Sequence, residues 1–171
     1  MQIYKLLARL LEYPDTELMV HMPEIIKRVK SNRDISTQER DDLMQFISWM
    51  QLHDMTGMQA DYVQTFDMTP EHALHLTHHL FGDDRGRGPA LIDLMEHYRA
   101  EGLDIDQQEI PDYLPLILEY ASTLDDMQAK VFLGDARKVI TVLAENLEKA
   151  DSPYARLLRI IEHRGQLGQA A

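Results

Sequence analysis

The chain has 171 residues, 29 acidic and 17 basic side chains, a formal net charge of −12 and no cysteine. That length fits one domain with enough buried surface to fold without a staple. The missing thiols exclude a disulfide scaffold, a thiolate zinc site, an iron–sulfur cluster and a cysteine nucleophile, and the negative field opposes binding to a phosphate backbone.

Ile3, Leu6, Leu7, Leu10 and Leu11 recur at helical spacing, with Lys5, Arg9 and Glu12 on the other face. Charges inside this run, and no small-residue cleavage site, argue against a secretory signal. No stretch reaches the ~20 apolar residues that span a bilayer, so the expected location is the cytoplasm. Pro14 ends the first helix and Asp15 or Thr16 caps the next. Its stripe, Leu18, Met19, Met22, Ile25, Ile26 and Val29, is broken or kinked near Pro23. Ser36 with Glu39 fits a capping box, and the helix it opens carries Leu43, Phe46, Ile47 and Met50 on one side. Trp49, the only tryptophan, lies off that stripe, where it would meet a neighbouring helix. Residues 54–57 read as a break. Tyr62 and Phe66, four apart, share a helical face, and residues 67–70 read as a second break.

Residues 71–81 read either as a short helix or as an extended run. Residues 82–88 then hold two aspartates, two arginines and three glycines in seven positions, which neither period explains. Pro89 stands at a first-turn position of a helix with Leu91, Leu94, Met95 and Tyr98, which Gly102 closes. Residues 103–108 form an acidic linker. Pro111 and Asp112 open a periodic helix with Tyr113, Leu116, Ile117, Tyr120, Ala121 and Leu124, with Pro115 in its first turn. Asp125 and Asp126 mark a break or an exposed turn, and Gly134 with Asp135 starts a helix carrying Val139, Ile140, Leu143 and Leu147. Asp151 or Ser152, then Pro153, starts the last helix, with Leu157, Leu158 and Ile161. There is no internal repeat and no sustained heptad. The expected fold is an all-α, compact single-domain helical bundle over residues 1–164, with 165–171 as a flexible C-terminal tail.

His72, His75, His78 and His79 fall within eight residues, and three of them share a face if the segment is helical. That geometry lets imidazoles share a metal, but no glutamate stands at the HExxH spacing. The reading is therefore packing or loop hydrogen bonding, with no metal. Residues 82–88 lack the lysine and Ser/Thr of a phosphate loop. Arg85 and Arg87 either grip an anion or pair with Asp83, Asp84 or a helix end. Carboxylates such as Glu109, Asp112 and Glu119 lie close in sequence, but no Ser/His/Asp arrangement supports an enzyme. Tyr62, Phe66, Tyr113, Tyr120 and the ten methionines either build the core or line an adaptable groove for a helix.

One pattern goes further. Tyr62-Val63-x-x-Phe66-Asp67, Leu76-Thr77, Gly82-Asp83-x-Arg85-x-Arg87-Gly88-x-Ala90-Leu91 and Tyr98-Arg99-x-x-Gly102 resemble the chaperones that assemble respiratory nitrate reductase, the NarJ family. Pro111-Asp112-Tyr113-Leu114-Pro115 with Leu118-Glu119-Tyr120 looks like that family's second motif. In the wider molybdoenzyme-chaperone superfamily His commonly follows that Asp. Tyr113 stands there instead, which favours the nitrate-reductase branch. The resemblance implies an all-helical cytoplasmic chaperone with no enzymatic activity and no cofactor of its own. It would bind the N-terminal segment of the apo catalytic (alpha) subunit, assist molybdenum cofactor and iron–sulfur insertion, prevent premature membrane docking, and stay out of the mature enzyme. Carried over by position, the expected partner-binding residues are Tyr62, Phe66, Asp83, Arg85, Arg87, Asp112, Tyr113, Glu119 and Tyr120. Two alternatives stand beside this reading. One is a chaperone for a sulfoxide or amine-oxide reductase. The other is a metal-dependent enzyme that uses the four clustered histidines.

Overall fold

Helix α1 (Gln2–Leu10) buries Ile3, Tyr4, Leu7, Ala8 and Leu10, the face that the spacing predicts. The computed structural model describes residues 2–81, 86–103 and 110–169, apart from the side chains of Phe81, Arg87 and residues 167–169. Within these residues the fold is all-α: eleven α-helices, one π turn, one 3-10 turn and one isolated backbone bridge.

Local chemistry sets most of the boundaries. Asp15 accepts from the Leu18 N–H at 2.8 Å and starts α2 (Thr16–Val20). Pro23 lies in the first turn of α3 (Met22–Ser31), so the proline opens a new helix after His21 and does not kink a longer one. Ser36 and Glu39 close a reciprocal capping box at the head of α4 (Thr37–Leu52). Asp54 caps α5 (Met55–Tyr62) by accepting from the Gly57 N–H at 2.7 Å. The chain then runs through the π turn Val63–Asp67 and the 3-10 turn Pro70–His72 into α6 (Leu76–Phe81). Gly102, at φ +72°, ends α7 (Arg87–Ala100), where the N–H groups of Gly102 and Leu103 donate to the carbonyls of Arg99 and Tyr98.

The C-terminal half departs from expectation in three places. The helix expected from Pro111 begins three residues later, as α8 (Leu114–Thr123), with Pro115 still in its first turn. Asp125 is the N-cap of a separate helix, α9 (Asp126–Asp135), through a capping box with Gln128. Gly134, expected at a helix start, lies buried in the last turn of α9, and α10 (Arg137–Lys149) follows after one residue. The last helix, α11 (Ala155–Gln169), runs on past Arg164. The cause is a close crossing. A Cβ on Gly165 would stand 3.1 Å from the Leu133 carbonyl oxygen and 3.3 Å from the Gly134 nitrogen, so α9 holds the end of α11.

Packing follows from these faces. Helix α11 lies against α9, α10 and α4, and α1 lies against α8. Tyr4, Phe46, Tyr98 and Tyr154 are the bulkiest fully buried side chains; each large apolar side chain so buried contributes about 1.5–3 kcal/mol. Trp49 packs on Phe46 and Tyr154, the latter from the turn before α11. A buried ion pair crosses the bundle: Arg164 of α11 donates from Nε and Nη2 to Glu39 of α4 at 2.7 and 2.9 Å. Among the described residues, no helix is long and apolar enough to cross a membrane.

Candidate functional site

The π turn after α5 brings the first aromatic residues together. Met68 N–H donates to Val63 O, five residues back, at 3.0 Å. Tyr62 at the end of α5 and Phe66 within the turn, four residues apart, hold their ring centroids 4.8 Å apart. Turns of this kind concentrate at functional sites. Tyr13, just past the end of α1, meets Tyr62 edge-on at 5.7 Å, and Tyr154 packs behind Tyr62 and Phe66.

The second half arrives by an antiparallel bridge between His75 and Tyr113. Leu76 N–H donates to Asp112 O at 3.1 Å, and Leu114 N–H donates to Leu74 O at 2.9 Å. The bridge stacks the His75 ring on Tyr113 at 5.2 Å. The Asp112 side chain is fully buried and accepts from the Thr77 N–H at 2.9 Å and from the Thr77 hydroxyl. Thr77 is the second residue of α6, so a carboxylate from a distant segment serves as the cap of this six-residue helix.

A hydroxyl chain joins the two halves. Tyr62 Oη donates to Leu11 O at 2.7 Å and lies 3.1 Å from Tyr113 Oη. Burial, reinforced by Tyr113, pushes the Tyr62 phenol far above its ordinary range, so it stays protonated. The result is an open cleft of about 280 Å³ lined by Tyr13, Tyr62, Phe66, Asp67, Leu74, His75 and Tyr113. Tyr13 is 48% exposed, and Val63 and Met68 of the π-turn segment are 36% and 66% exposed, so apolar surface continues beyond the cleft.

The residues expected at the site therefore fall into distinct places. Tyr62, Phe66 and Tyr113 share the cleft, and Asp112, next to Tyr113, is buried. Tyr120 is buried between Tyr98 and Phe132. Glu119 is exposed on α8 in a separate groove with Lys5, Arg9 and Ser122. Asp83, Arg85 and the Arg87 side chain lie outside the described residues. Tyr13, Leu74 and His75 also line the cleft, and no local pattern in the sequence marks them. Asp67 joins them from within the first motif. The clustered histidines part ways. His72 Nδ1 and Nε2 face the carbonyls of Thr65 and Asn146 at 3.0 and 3.2 Å. His79 Nε2 meets Ala73 O at 2.6 Å, and His78 lies edge-on to His79. Among the described residues no three metal-ligating side chains converge.

Residues 32–159 match the family model described as nitrate reductase delta subunit. The chain is 32% identical to the nitrate reductase molybdenum cofactor assembly chaperone NarJ of Escherichia coli (strain K12), over 91% of this chain and 66% of that protein. It is also 32% identical to the probable nitrate reductase molybdenum cofactor assembly chaperone NarJ of Bacillus subtilis (strain 168), over 92% of this chain and 85% of that one. A nitrate reductase-like protein, NarX of Mycobacterium tuberculosis (strain ATCC 25618 / H37Rv), is 27% identical over 96% of this chain but only 24% of its own length. The chain thus spans about two thirds of the Escherichia coli relative and most of the Bacillus one. On the matched span and these identities, the chain belongs to the nitrate reductase delta subunit family.

Proposed function

We propose that this chain is an assembly chaperone, not an enzyme, which holds the N-terminal segment of the apo catalytic subunit of respiratory nitrate reductase in the cytoplasm. By occupying that segment it keeps the subunit from docking early on its membrane anchor while molybdenum cofactor and the iron–sulfur cluster are inserted. Those groups are cargo of the partner; this chain has no thiolate to hold a cluster. The chaperone function is carried over from the printed names of the relatives. The observation that carries the partner's chemistry is the open aromatic cleft in a chain of net charge −12. Apolar contact there supplies affinity, and the negative field draws in a basic amphipathic segment.

Isothermal titration of the full chain with synthetic N-terminal segments tests the proposal. The nitrate reductase segment is expected to bind saturably, more weakly at higher salt, and Tyr113→Ala is expected to weaken it. Binding of a sulfoxide- or amine-oxide-reductase segment in preference to it would reassign the partner. No binding of any such segment would refute the chaperone reading.

A further inference from the structure

We propose that the cleft between Tyr13, Tyr62, Tyr113 and Asp67 is a cation pocket, built to take one arginine or lysine side chain of the incoming segment. The inference rests on the chaperone reading and narrows it to a chemical group. A phenol carries a single proton. Tyr62 donates its proton to the Leu11 carbonyl, so the 3.1 Å contact between the two hydroxyls runs the other way, from Tyr113 to Tyr62. Both protons are thereby taken up within this chain of hydroxyls, so neither phenol offers its proton to a ligand. Asp67, exposed at the end of the π turn and part of the lining, adds a carboxylate.

The other walls are rings. Phe66 lies 4.8 Å and Tyr13 5.7 Å from the Tyr62 ring. His75 is stacked on Tyr113, and the Tyr13 hydroxyl turns either way. A carboxylate and π surface together favour a positively charged donor and repel a carboxylate or phosphate. The volume of about 280 Å³ lies just below the roughly 300–1,000 Å³ of drug-sized pockets. It suits the end of one side chain, with the rest of the segment lying on the exposed apolar surface of Val63 and Met68.

The test uses two synthetic copies of a nitrate reductase N-terminal segment. One keeps its arginines and lysines; the other carries citrulline and norleucine in their places. Calorimetry against the full chain is expected to show the charged copy binding about tenfold tighter, within the range of a cation–π contact joined to an ion pair. Asp67→Asn is expected to remove most of that preference. Asp41→Asn, the same change of charge on an exposed residue in the first half of α4, is expected to leave most of it. Equal affinity for the two copies, or an undiminished preference in Asp67→Asn, overturns the cation pocket and leaves the chaperone reading standing. Failure of both copies to bind overturns both.

Discussion

Glu39 and Asp61 are sheltered carboxylates with opposite surroundings, and their pH dependence differs in sign. Burial alone would raise the Glu39 pKa, but hydrogen bonds from Arg164 and the Ser36 N–H outweigh it and hold the carboxyl below its ordinary 4.5. A depressed folded pKa contributes stability that is present above the unfolded value and lost as pH falls through the folded one. Arg164→Met leaves Glu39 buried without its partner and is expected to cost about 3–5 kcal/mol at pH 7, read from urea unfolding. The Ser36 N–H still opposes the burial of Glu39 in that variant, so the stability that this site loses on acidification shrinks. Asp61 has the opposite sign. Burial raises its pKa above 3.8 despite the opposing effect of His53, and its Oδ2 has no hydrogen-bond partner. Folding is therefore penalised above the raised pKa, and the penalty fades as pH falls towards 3.8. Asp61→Asn is expected to raise stability at pH 7, because it removes a charge that burial disfavours. Thermal melts at pH 7 and near the ordinary carboxylate pKa should show the gain at the first and none at the second.

Helix α6 shows what a short element needs from elsewhere. A six-residue helix is far below the length that is stable alone, and α6 depends on the His75–Tyr113 bridge and on Asp112 accepting from Thr77. Asp112→Ala is expected to cost about 1.5–3 kcal/mol, the worth of hydrogen bonds to a charged group. It should also speed amide hydrogen exchange in residues 76–81 while α10 stays protected; unchanged exchange there would refute the capping role. The α9–α11 crossing makes a second prediction. Gly165→Ala puts a methyl against the Leu133 and Gly134 backbone and is expected to lower stability by about 1–3 kcal/mol in urea titration, the usual cost of overpacking. The same elements show where sequence reading succeeds. Ser36 with Glu39, the Gly102 terminus and the α1 face were legible, because each is decided within a few residues, whereas residues 54–57, which read as a break, open α5 under the Asp54 cap. The Tyr62–Tyr113 pair spans 51 residues, Thr77–Asp112 spans 35 and Glu39–Arg164 spans 125. No period or cap announces contacts at such separations. The sequence grouped Tyr62, Phe66 and Tyr113 as core or groove, but not with the Tyr13 and His75 walls. The α9 helix was missed because its acidic start reads equally as a turn and its glycine as a boundary.

At the scale of the whole molecule, the cleft draws on both ends of the chain. Leu11 and Tyr13 follow α1, and Tyr154 precedes α11, so the floor under Tyr62 and Phe66 closes only when the bundle does. On the proposed function, two electrostatic effects would act on a basic segment over different distances. The net charge of −12 acts across solvent, and salt screens it: the Debye length falls from about 10 Å at 0.1 M to about 3 Å at 1 M. The contacts within the cleft act at a few ångströms, partly shielded from solvent, and are screened much less. Long-range attraction governs encounter, whereas the residence time is set by contacts already made. Stopped-flow binding of the charged nitrate reductase segment is therefore expected to show an association rate falling about tenfold or more between 0.05 and 1 M salt, the lower end of electrostatic steering. The dissociation rate should change by less than about threefold, since closely packed contacts respond weakly to screening. A dissociation rate that carries most of the salt dependence would mean that the segment is held by exposed ion pairs on the surface and not by the cleft.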